Sequence, residues 1–155
     1  MTVCFTGHRS IEPQQILKLP DLLDEALDAL IARGAVEFRT GGALGFDTLA
    51  ALKVLEKKKQ TPHIRLVLML PCRDQTKGWS QRNVDIFGYI LAQADRVHYV
   101  SDVYTPFCMH ERNRALVEGS QVCVAFCSEE SGGSAYTVAQ AKKQGLEIVN
   151  LYMPQ

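Results

Sequence analysis

Five short stretches hold the residues whose types and spacing could do chemistry. They are Gly7-His8-Arg9; Thr40-Gly41-Gly42 with Gly45 and Asp47 just beyond; Pro71-Cys72-Arg73-Asp74 with Trp79 further on; Tyr104 to Asn113, which ends in Arg112-Asn113; and Ser131-Gly132-Gly133-Ser134 with Thr137. The chemistry they suit is anion binding. Glycine lets the backbone turn with positive φ and lets a ligand approach closely. A helix that starts directly after glycine offers free N–H groups and the positive end of its dipole to phosphate or carboxylate. Two such starts are expected, one after Gly42 and one after Gly133.

Each residue has a plainer alternative. Arg9 could fork onto a phosphate and His8 could donate to it, or the pair could cap the first helix. Asp47 could accept from ribose hydroxyls or order its loop, or be a favourable charge near a helix N-terminus. Arg112 and Asn113 could form the exposed face of a helix. Trp79 could stack on a base or anchor a lid. Cys72 and Cys108 lie where thiols can be activated, but no partner base is in view, so nucleophilic catalysis is disfavoured.

These stretches must be positioned by the elements around them. Strand-like runs cover Thr2 to Thr6, Val36 to Thr40, Ile64 to Leu70, Arg96 to Val100, Gln121 to Phe126 and Leu146 to Tyr152. Helical runs cover Leu19 to Arg33, about Leu44 to Lys59, about Ser80 to Gln93, Phe107 to Glu118, and Ser134 to Gln144. Leu22, Leu23, Ala26, Leu27, Leu30 and Ile31 mark the inner side of the first helix; Leu49, Leu52, Val54 and Leu55 mark that of the second. Pro13 closes the first turn. The near-continuous apolar run Ile64 to Leu70 predicts a strand buried on both faces. Alternation of this kind predicts an α/β, Rossmann-like three-layer sandwich: a mostly parallel sheet of about six strands with helices on both faces. All five chemical stretches then leave the carboxyl ends of strands, where ligands bind in open α/β sheets.

The 155 residues suit a single domain, 1–155. Lys+Arg and Asp+Glu are 17 each, so broad binding to nucleic acid is disfavoured. No apolar run is long enough to span a membrane, and the N-terminus lacks a secretory pattern. Five cysteines without Cys-x-x-Cys spacing suit a reducing cytoplasm. Cys4 and Cys123 sit in strand runs as small hydrophobes. No ligand-spaced His and Cys point to a metal. Gly-x-Gly-x-x-Gly and Gly-x-x-x-x-Gly-Lys-Ser/Thr are both absent, which disfavours dinucleotide dehydrogenase and P-loop chemistry.

The ordered set Thr6-Gly7-His8-Arg9, Gly41-Gly42-Ala43-Leu44-Gly45-x-Asp47, Tyr104-Thr105-Pro106 with Met109 and Arg112-Asn113, and Gly132-Gly133-Ser134 with Thr137 and Ala141 resembles the YpsA-like branch of the SLOG superfamily. That Rossmann-like group, of bacterial type, includes DprA and the LOG proteins. The resemblance implies a site for a nucleotide or nucleotide derivative in a sensing or regulatory role, with no certain cofactor beyond that ligand. Homodimer formation is left open. LOG proteins hydrolyse the N-glycosidic bond of a nucleoside monophosphate. Their motif would put a catalytic Glu near Ala139, where this sequence has no acid. A hydrolase would have to use Asp47 or Glu111 instead. DprA-like binding of single-stranded DNA is a third reading, disfavoured by neutral charge and few aromatics.

Overall fold

The computed structural model describes residues 1–128 and 132–154. In it the apolar runs become the strands β1 (Thr2–Gly7), β2 (Glu37–Thr40), β3 (Arg65–Leu70), β4 (Arg96–Tyr99), β5 (Val122–Phe126) and β6 (Glu147–Asn150). Between them lie α1 (Pro13–Ile16), α2 (Leu19–Ala32), α3 (Phe46–Gln60), α4 (Gln81–Gln93), α5 (Cys108–Val117) and α6 (Gly133–Lys143). The strands form one parallel sheet in the order β4-β3-β2-β1-β5-β6. The chain moves outward from β1 to β4, then returns to the other side of β1. The strand order therefore reverses between β1 and β5, which places a topological switch point there.

Strand side chains alternate between two cores. Val3, Phe5, Phe38, Leu66, Leu68, Leu70, Val122, Val124 and Phe126 face one side, with buried residues of α2, α3 and α4. Cys4, Val67, Met69, Cys123 and Ala125 face the other, with Leu116 and Val117 of α5 and Ala141 of α6. The three-layer α/β architecture is thus the one the alternation predicts. β3 contributes to both cores, as its unbroken apolar run requires.

Three local differences from the sequence reading have physical causes. The turn at Pro13 is a short helix, because proline at the first helical position is pre-set for it. Its Gln15 is buried, donating from Nε2 to the Met153 carbonyl at 2.7 Å, which straps down the C-terminal segment. β6 stops at Asn150 rather than Tyr152. The Asn150 amide accepts from Tyr152 N–H and makes a reciprocal pair with the Cys127 backbone, replacing the strand ladder. α3 starts at Phe46 rather than Leu44, since Gly45 takes φ 77°. Its buried side is Phe46, Ala50, Ala51, Val54 and Leu55; Leu49 and Leu52 are half-buried against the same core.

Candidate ligand-binding cleft at the switch point

The carboxyl end of β1 is locked to α3 and to β5. A Cβ on Gly7 would lie 2.5 Å from the Phe46 ring, so only glycine lets α3 begin this close to the strand. The His8 backbone donates to the Phe126 carbonyl at 3.1 Å and accepts from Phe46 N–H at 3.0 Å. The His8 ring accepts from Ser128 N–H through Nε2 at 2.8 Å, with Ser128 Oγ 3.0 Å from the same atom. A backbone N–H can only donate, so the ring proton sits on Nδ1.

α5 supplies the central cation. Arg112 and Asn113 are both buried, which overturns the exposed-face alternative. Arg112 Nη1 donates to the Gly41 carbonyl at 2.6 Å, and its Nε to Asn113 Oδ1 at 2.9 Å. Gly41 owes its identity to this guanidinium: a Cβ there would sit 2.4 Å from Arg112 Nη1. Burial is the main force lowering the Arg112 pKa, with Asp47 opposing it.

Asp47 is buried in the first turn of α3 and accepts from Ala43 N–H at 3.2 Å. Burial pushes its carboxyl from 3.8 up to about 6, against the pull of Arg112, the Ala43 N–H and Arg9. Its bond to Ala43 N–H orders the loop that leads into α3.

These groups open onto two adjoining cavities. One, of about 370 Å³, is lined by Gly7, His8, Arg9, Asp47, Arg112, Asn113, Gly132, Gly133 and Ser134, among others. The second, of about 410 Å³, is lined by Pro71, Cys72, Gln75, Trp79 and Tyr104, among others. Arg9, Ala43, Met109 and Arg112 line both, so the two form one cleft across the carboxyl edge of the sheet. The volumes suit a small-molecule site.

The two glycine-led helix starts differ. At α3 the Phe46 N–H is already bonded to the His8 carbonyl, and the Asp47 carboxyl occupies the first turn. At α6 the cap residue Gly132, at φ 102°, makes no side-chain cap bond, and Gly132 and Gly133 are exposed to the cavity. Thr137, fully buried, donates to the Gly133 carbonyl at 3.0 Å and steadies that turn. Ser131 lies outside the described residues.

Of the sequence-derived candidates, Gly7, His8, Arg9, Asp47, Trp79, Arg112, Asn113, Gly132, Gly133 and Ser134 line the cleft. Gly41, Gly42, Gly45 and Thr137 stand behind it. Gly42 accepts from Gln75, and a Cβ on Gly45 would meet the Arg9 carbonyl at 2.2 Å. Glu111 is exposed and does not line either cavity. Cys72 lines the cleft, but burial and Asp74 raise its thiol to about 11, which keeps it protonated near neutral pH. Gln75 and Lys77 also line the cleft and were missed by the sequence reading. The only signal for them was their place in the polar stretch before Trp79. Among the described residues, no cluster of three or more His, Cys, Asp and Glu could hold a metal ion, and no helix is long and apolar enough to cross a membrane.

Fold and cleft together define a Rossmann-like domain with a pocket at the strand-order reversal. The chain belongs to the YspA SLOG family, whose model matches residues 3–152. It is 32% identical over 133 residues to a UPF0398 protein of Bacillus thuringiensis (strain Al Hakam), covering 84% of this chain and 72% of that relative. It is 30% identical over 141 residues to the uncharacterized SPbeta prophage-derived protein YoqJ of Bacillus subtilis (strain 168), covering 83% and 82%. Two solved structures share the fold. DNA processing protein A from Helicobacter pylori, described with a single-stranded DNA binding mode, superposes with TM-score 0.72 at 23% identity, over 100% of this chain and 66% of that one. DprA from Streptococcus pneumoniae gives 0.68 at 16% identity, over 95% and 48%.

Proposed function

We propose that the protein binds a nucleotide or nucleotide-derived small molecule in this cleft, as a sensor or regulator. The observation that carries the reading is the division of one continuous cleft into two chemically different halves. The half at the switch point offers the open start of α6, Ser134, Arg9 and Arg112 to a phosphate. The other half offers Trp79, Tyr104 and Pro71 to a planar ring. The shared residues Arg9 and Arg112 stand between them, where a sugar phosphate would bridge.

Glycosidic cleavage needs a carboxylate beside the scissile bond. Asp47 and Asp74 are the carboxylates lining the cleft among the described residues. Asp47 is already committed to Ala43 N–H, and Asp74 sits with Cys72. A binder is therefore favoured over a phosphoribohydrolase. Binding of single-stranded DNA, stated for the Helicobacter pylori protein, has less support here, since the chain has no excess of basic residues.

The test is a panel of nucleoside monophosphates followed by thermal shift and by release of free base. A ligand that binds only the native state raises the melting point. Shifts without free base are expected. Turnover abolished by Asp47→Asn with binding kept would make the protein a hydrolase instead.

A further inference from the structure

We propose that Asp47 and Asn113 form a hydroxyl-recognition site in the switch-point half of the cleft, which selects a ribonucleotide over its deoxy counterpart. The inference rests on the nucleotide-binding reading above and names the sugar that the ligand must carry. Asp47 and Asn113 are 5% and 7% exposed, and both line the switch-point cavity but not the ring half. Each spends one end of its side chain on the protein. Asp47 Oδ2 accepts from Ala43 N–H at 3.2 Å. Asn113 Oδ1 accepts from Arg112 Nε at 2.9 Å, and Arg112 is itself held by the Gly41 carbonyl. A guanidinium N–H can only donate, so that bond sets which way round the Asn113 amide sits.

The other ends, Asp47 Oδ1 and Asn113 Nδ2, make no hydrogen bond within the described residues. Neither is sealed in. Among the described residues, the one unpartnered side-chain polar atom enclosed on all sides is Gln75 Oε1. Asp47 Oδ1 and Asn113 Nδ2 therefore keep exposed surface, and the switch-point cavity is the open space that their residues line. Arg112 joins the two: its charge acts on Asp47, and its Nε is bonded to Asn113.

A free acceptor and a free donor in one cavity wall fit a hydroxyl, which donates to the first and accepts from the second. An ionised phosphate does not fit there, because it only accepts and the carboxylate repels it. Phosphate is served elsewhere in the same cavity, by the open start of α6 and Ser134. The part of a nucleotide that is bonded to the phosphate and carries hydroxyls is the sugar. A site built around a substrate hydroxyl rejects the analogue without it, because buried polar groups are then left unpaired.

The experiment uses the full chain and titration calorimetry at pH 7.5, where the Asp47 carboxyl, raised to about 6, is ionised and can only accept. The tightest binder among AMP, GMP, CMP and UMP is compared with its 2′-deoxy and 3′-deoxy counterparts. Loss of one of the two hydroxyls should weaken binding about tenfold or more, the effect of leaving a buried charged acceptor unpaired. The analogue with fluorine at that position is then measured. Fluorine cannot donate, so this analogue should bind the wild type no better than the deoxy form. In Asp47→Asn the Ala43 N–H still claims the side-chain oxygen, which turns the NH₂ towards the cavity. The fluoro analogue should then bind at least as well as the deoxy form, and the preference for the ribonucleotide should shrink. If Asp47→Asn does not fold, the wild-type comparisons alone decide. Equal binding of the ribonucleotide and both deoxy forms to the wild type would overturn the hydroxyl site and leave the nucleotide reading standing. So would an Asp47→Asn chain that keeps the full wild-type preference. No binding by any of the four nucleotides would overturn both.

Discussion

Asp47→Asn should make the protein more stable at neutral pH, and the size of the gain follows from where the carboxylate lies. Asp47 is 5% exposed, and burial lifts its pKa from 3.8 to about 6. The folded chain therefore holds this proton more tightly than the unfolded chain does. Between about pH 4 and pH 6 the native state binds more protons, so stability falls as pH rises through that window. Below it both states are protonated and nothing is lost; above it the penalty is complete. A difference of about two pKa units, at about 1.4 kcal/mol each, makes the ionised carboxylate cost about 3 kcal/mol. The attraction of Arg112 is already inside that figure, because it is one of the forces that set the pKa. Asparagine keeps the shape and never ionises. Urea denaturation of both chains at pH 7.5 should show the variant ahead by about 2–3 kcal/mol, with the gap closing towards pH 4, where comparing the two chains cancels other titrations. A variant less stable than the wild type at pH 7.5 would refute the reasoning. It would mean that the pairing with Arg112 outweighs the burial. Because Asp47 lines the proposed nucleotide cleft, the same variant should bind nucleotide with altered pH dependence.

Gly41→Ala should destabilise by about 2–3 kcal/mol, because its Cβ displaces Arg112 from the Gly41 carbonyl and leaves a charged hydrogen bond unmade; chemical denaturation reads this, and an unchanged midpoint would contradict the close approach. The five cysteines, all buried, should react slowly with a thiol reagent at pH 8 in the native protein and readily after denaturation. At that pH Cys72, raised to about 11, is thiolate in only about one molecule per thousand.

Much of this protein is written locally in its sequence. The alternation of strands and helices, the double-sided burial of β3 and the glycine breaks all follow from side-chain periodicity and backbone freedom, which act over a few residues. The carboxyl ends that carry the cleft could be named on the same grounds. Tertiary structure alone decided what those breaks do. Both Gly42 and Gly133 lead towards helices, yet the start of α3 is answered by the His8 carbonyl, 38 positions back from Phe46, while the start of α6 faces the cavity. For Arg112 the sequence left an exposed helix face open as the alternative to a site residue; it is buried, and its partner is the Gly41 carbonyl, 71 positions away. Gln75 could not be singled out at all, since its meaning comes from a carbonyl on a different loop. Which N–H is free and which charge is buried depends on contacts across the sheet. Those contacts are settled by the strand order, which no short stretch of sequence contains.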